Sequence, residues 1–149
     1  MKNIVDQTAY QEITDRIKLL SVTNTAHWGK MNLPQMLVHC TMQLKMAVGE
    51  IPSQPQGSFL LRTAIGKWIA FGNIPWPKGS QTPNEMNVIK NHLRQTDVQT
   101  AKTELLIYLD KVNTSASLSP HPFFGKLTKA EWGKLIYKHV DHHLRQFGQ

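Results

Sequence analysis

Apolar residues recur at three- and four-residue intervals in four separate stretches of this chain, and nowhere do they alternate convincingly over the length of a strand. That period marks helices with one buried face, so the chain is expected to be all-helical. Tyr10, Ile13, Ile17 and Leu20 form the first stripe, within residues 6–20. The second helix is predicted from about Leu33 to Val48, with Asn32 as its N-cap, Pro34 in its first turn and Gly49 as its stop. A capping box, Thr96-x-x-Gln99, predicts the start of the third, whose stripe is Ala101, Leu105, Leu106, Leu109 and Val112. The box Thr128-x-x-Glu131 opens the last helix, which runs to about Phe147. Four amphipathic helices in 149 residues predict one four-helix-bundle domain spanning 1–149.

Residues Glu50 to Pro83 interrupt this pattern and hold five of the eight prolines. They read as a long connection around one short helical or buried segment near Phe59 to Phe71, and Pro75-Trp76-Pro77 excludes a central strand or helix interior. Connections this long often serve as lids or walls. Residues Asn84 to Gln95 fit either a short helix or an extended arm.

The longest apolar stretch, Ser58 to Gly72, is broken by Arg62, Gly66 and Lys67, which excludes a membrane span. The opening MKNIVDQTAY lacks an apolar run and a small-residue cleavage site, so the expected location is the cytoplasm. A single cysteine, Cys40, excludes an internal disulfide framework and suits a small core residue. The formal charge of +7 raises nucleic acid as a partner. Against that, only Arg16, Arg62, Arg94 and Arg145 are arginines, and the lysines are scattered singly without aromatic interleaving. Solubility, or attraction of a small anionic substrate, explains the charge better. No serine-hydrolase elbow, phosphate-binding loop or dinucleotide fingerprint is present.

The segment that carries chemistry is Tyr137-Lys138-His139-Val140-Asp141-His142-His143-Leu144-Arg145-Gln146. At about 100° per residue, His139 and His143 stand one turn apart on a single face, beside Trp132, Ile136, Val140 and Phe147. Asp141 is expected on the far side, toward water, and His142 at the flank. Two imidazoles on an apolar stripe need polar partners, and a divalent metal satisfies both at once; hydrogen-bonded helical histidines are the alternative. A metal site needs a third ligand, for which His27, His39, His92, His121, Cys40 and the carboxylates are candidates. His39 is best placed, at the edge of the second helix's buried stripe, with Gln35 and Gln43 one turn either side as hydrogen-bond partners. Three imidazoles leave coordination positions open for a water or a substrate, as catalytic rather than structural sites do.

With those residues in view, the sequence resembles the DinB/YfiT-like superfamily of four-helix-bundle metalloenzymes. The marks are Trp28-Gly29-Lys30-Met31, then Gln35-Met36-Leu37-Val38-His39-Cys40, then His121-Pro122-Phe123-Phe124-Gly125-Lys126-Leu127-Thr128 through Trp132, and finally His139 to Phe147. The resemblance spans essentially the whole chain. It implies that His39, His139 and His143 ligate Zn²⁺ or Ni²⁺, and that a long crossover joins the second and third helices. It also implies hydrolysis or transfer to a low-molecular-weight thiol as the reaction, a small-molecule substrate, and a homodimer.

Gln43, His121, His142, Gln146 and Trp28 are the residues expected behind the ligands or in the pocket. His121, between two prolines, suits either the site mouth or a capping role; His142 replaces His143 if the last helix is rotated. Arg62 or Arg94 steers an anionic substrate if the connection folds over the mouth. The competing readings are a non-catalytic metal- or small-ligand-binding module and a nucleic-acid binder, the latter disfavoured by the arginine count.

Overall fold

The structure, a computed structural model, describes residues 1–52, 54–72, 86–89 and 97–149. Among these residues every regular element is helical: α1 (Gln7–Leu19), α2 (Leu33–Ala47), a 3-10 turn (Phe59–Arg62), α3 (Ala64–Phe71), α4 (Val98–Thr114) and α5 (Lys129–Gln146). The predicted third and fourth helices are thus α4 and α5. No helix among the described residues is long and apolar enough to cross a membrane.

Local chemistry sets the helix starts. At α2 the Asn32 side chain accepts from the Gln35 backbone N–H, and the Gln35 side chain accepts from the Asn32 N–H, a closed capping box. Gln35 is therefore a cap, not the partner of His39 that its spacing suggests. Thr128 and Glu131 close the same box at α5. At α4 the N-cap is Asp97, whose carboxylate accepts from the Thr100 N–H at 2.9 Å. The predicted cap Thr96 lies outside the described residues, as do Pro75-Trp76-Pro77, His92 and Arg94.

The apolar stripes meet in one core: Ile13 and Ile17 of α1, Leu37, Cys40 and Leu44 of α2, Leu105 and Leu109 of α4, and Trp132, Ile136 and Val140 of α5. α1 and α2 each pack against both α4 and α5. Ion pairing adds to the α1–α5 seam, where Arg16 reaches Asp141 at 2.7 Å. Asp141 consequently faces α1 and not open water as expected, and Arg145 meets its second oxygen at 2.9 Å.

Three lysines close helix C-termini, where backbone carbonyls lack intrahelical donors. Lys102 donates to the Lys18 and Leu20 carbonyls at the end of α1, both at 2.7 Å. Lys129 does so for Asn113 and Ser115 at the end of α4, and Lys138 for Ala70 and Gly72 at the end of α3. Lys102→Met should lower stability by about 1–3 kcal/mol, because two carbonyls lose a charged donor at a site where Lys102 is almost fully buried. Urea unfolding checks this.

The connection after α2 is helical near Phe59 to Phe71 but is not a buried segment. Phe71 alone of it is buried, while Phe59, Leu60, Ile65, Trp68 and Ile69 are exposed. Its inner side is fastened to the loop before α5: the Gln56 N–H and the Arg62 guanidinium both donate to the Pro122 carbonyl. Residues 86–89 return to the core, Met86 and Val88 packing with Met42 and Met46 of α2.

Candidate metal centre

α2 and α5 lie side by side, and three histidines meet between them. His39, His139 and His143 are each at least nine-tenths buried, and their potential ligand atoms lie within 4.8 Å of one another. The ring centroids are 4.7–4.9 Å apart, with all three pairs nearly edge-to-face. These residues are able to hold a metal ion.

The hydrogen bonds behind the rings decide which nitrogens face inward. His39 Nδ1 lies 3.0 Å from the Met86 carbonyl oxygen, which only accepts, so Nδ1 carries the proton and Nε2 a lone pair. His143 Nδ1 is 2.9 Å from Gln146 Oε1. That amide's orientation is set at its other end, where Nε2 of Gln146 donates to the Trp28 carbonyl. His139 Nδ1 sits 2.8 Å from Gln43 Oε1. Each ring therefore has an acceptor behind it, the arrangement by which proteins fix the tautomer of a metal-ligating imidazole.

The consequence in front is specific. His39 Nε2 and His139 Nε2 are 2.8 Å apart, and with the protons on Nδ1 neither has one to offer the other. Such a pair repels unless one cation binds both nitrogens. A proton is poorly suited to that role. Burial pushes His139 well below the usual histidine range, aided by His143 and His39, and pushes His143 down to about 3. Burial likewise lowers His39, only partly offset by its bond to Met86. The donor set fits a divalent ion, and neutral imidazole suits zinc, nickel, copper or iron.

Gln43 and Gln146 are among the residues expected behind the ligands, whereas Met86 is not and Gly29 enters the expectation only as part of the Trp28-Gly29-Lys30-Met31 turn. Gly29 has φ of +86°, and a Cβ there would run into the Gln146 amide that reaches past it to Trp28. The Trp28-Gly29-Lys30-Met31 turn carried that signal. A backbone carbonyl such as that of Met86 carries none. Gln146→Leu is expected to weaken metal binding about 10- to 100-fold while leaving the helices intact, measured by competition with a chromophoric chelator and by circular dichroism.

The remaining candidates sort clearly. His142 is half-buried at the flank, edge-on to Trp28 at 6.0 Å, and stands outside the three-histidine group, so the rotated-helix alternative fails. His27 is exposed, and Cys40 is fully buried, its thiol pushed up by burial and its sulfur 3.8 Å from Met36 Sδ. Trp132 is core, donating from Nε1 to the Ser119 carbonyl at 2.9 Å, whereas Trp28 is a pocket wall. Arg62 is engaged with Pro122 and lies outside the pocket wall.

The histidines open onto a cavity of about 760 Å³ that also touches Trp28, Met31, Leu61, Val88, His121 and Phe123. That volume accommodates a drug-sized molecule.

The class so defined is an all-helical protein with a buried three-histidine cluster in the wall of a largely apolar cavity. The profile of the family described as a protein of unknown function (DUF1569) matches residues 2–149, and the chain belongs to that family. No curated protein and no solved structure matches the chain.

Proposed function

We propose that this protein is a metal-dependent enzyme of the DinB-like kind, in which α1, α2, α4 and α5 form the bundle and the segment bearing α3 is the crossover. His39, His139 and His143 hold Zn²⁺ or Ni²⁺. The observation that carries the reading is the set of three rings held from behind by the Met86 carbonyl, Gln43 and Gln146, with two unprotonated Nε2 atoms 2.8 Å apart. A bound ion supplies Lewis acidity toward an oxygen or sulfur of the substrate. Leu61, Phe123, Val88 and Met31 take the apolar part of a small molecule and exclude water around the reacting centre. The reaction is hydrolysis or transfer of a group to a low-molecular-weight thiol.

The test is a turnover screen of protein reconstituted with zinc and with nickel, against activated esters and amides, and against electrophiles supplied with glutathione, bacillithiol or mycothiol. Turnover that is lost in His143→Ala supports the enzyme. Stoichiometric metal without turnover across the screen assigns a binding module instead.

A further inference from the structure

His121 sits in the tight loop between Pro120 and Gly125, in which its backbone N–H and carbonyl both pair with Gly125 at 2.8 Å. Its ring is packed between Trp132 and Phe124, with centroids at 5.2 and 4.8 Å, and the residue is 5% exposed. Nδ1 accepts from the Phe123 N–H at 3.1 Å and, at longer range, the Phe124 N–H at 3.4 Å. A ring nitrogen that accepts from an amide carries a lone pair, so in the neutral imidazole the proton is on Nε2. This is the opposite tautomer to that of the three clustered histidines. No hydrogen bond engages Nε2 among the described residues, and it is not sealed from solvent as an unsatisfied buried atom would be. His121 also lines the same cavity as the cluster.

We infer that His121 Nε2–H is a fixed hydrogen-bond donor for the cavity's occupant, and that the occupant is an apolar molecule bearing an acceptor oxygen of carbonyl type. The geometry supplies both halves of that description. The loop's amides orient the ring and hold the donor in place without any group moving. Around it the walls are Phe123, Phe124, Leu61, Val88 and Met31, which match a hydrocarbon or aryl body. No Asp or Glu of the described residues lines the cavity, so nothing there competes for the donor as a charged acceptor. Burial keeps the imidazole neutral, its pKa pushed down to about 3, so the donor persists unchanged across the working pH range. The inference rests on the proposed function only in taking the cavity as the substrate site.

Acetophenone and α-methylstyrene test it, being nearly isosteric molecules that differ in presenting C=O or C=CH₂. Their affinities for the metal-loaded protein are measured by NMR titration, for the wild type and for His121→Asn. Asparagine keeps an oxygen near the Nδ1 position, able to accept from the Phe123 N–H, and places no donor at the Nε2 position. The ketone-to-alkene affinity ratio is expected to fall about three- to tenfold in the variant, with metal content close to wild type and the melting temperature lowered by the lost ring packing. An unchanged ratio, or failure of the wild type to bind either probe, overturns the inference. Long-range ¹H–¹⁵N correlations on the wild type give a second reading that needs no variant. They should show His121 protonated on Nε2, with that resonance shifting on addition of acetophenone; protonation on Nδ1 overturns the assignment. Metal content reports separately on the three-histidine site, so its loss and the loss of ketone preference are distinguishable.

Discussion

His139→Ala protein, expressed with zinc or nickel in the medium and analysed by elemental mass spectrometry, should bind metal at least about a hundredfold more weakly than wild type. The wild type should carry close to one ion per chain. The His139 ring has its centroid 4.8 Å from that of His39 and 4.7 Å from that of His143, and its Nε2 is 2.8 Å from that of His39. Removing it leaves two imidazoles, too few to retain an ion through purification. The same site links metal to folding, since an ion that binds the native state alone stabilises it by mass action. Free metal a thousandfold above Kd contributes about 4 kcal/mol, or a melting shift on the order of 10 °C for a chain of this size. EDTA should therefore lower the melting temperature of the wild type and leave that of His139→Ala unmoved. An EDTA-insensitive wild type without bound metal would refute the site.

In metal-free protein the buried imidazoles should make folding strongly pH-dependent on the acid side of neutrality. His121 and His143 have native pKa values near 3, whereas in the unfolded chain each returns to about 6.5. Between those values the unfolded state binds more protons than the native state, so stability rises with pH and is lost as pH falls below about 6.5. The two together should cost about 4 kcal/mol between pH 7 and pH 5, and His39 and His139, also lowered, act in the same direction. The carboxylates with depressed pKa, such as Glu12 and Glu131, matter mainly below this window. Urea unfolding in EDTA at pH 7.5, 6 and 5 measures the effect, and a flat profile would contradict it. Bound metal should flatten the upper part of the curve, because it holds the rings neutral.

Much of the helical framework was legible because it depends on local rules. The stripes of α1, α2, α4 and α5, the cap at Asn32 and the box at Thr128 follow from spacing and side-chain chemistry within a few residues. What escaped depends on distant neighbours. The apolar run in α3 has core composition yet stays exposed, because periodicity says which face is apolar and not whether anything covers it. The angle of Asp141 on α5 points it toward water, but Arg16 from another helix meets it there. At the site, the His139–His143 pair was readable from the helical period, and His39 from its position at the edge of a stripe together with the family resemblance. The Met86 carbonyl, which orients His39, has no residue-type signature and arrives only when the methionine cluster pins residues 86–89 to α2. The role of His121 was open for a related reason: its tautomer is written by two backbone amides in its own turn.

The lysines that close α1, α3 and α4 change how the basic character of this chain should be understood. Lys102, Lys129 and Lys138 spend their ammonium groups inward on peptide oxygens, so part of the formal excess of positive charge serves as internal fastening. These ammonium groups keep their charge but are not free to contact a polyanion directly, and amine-reactive reagents should label them more slowly than the unengaged lysines.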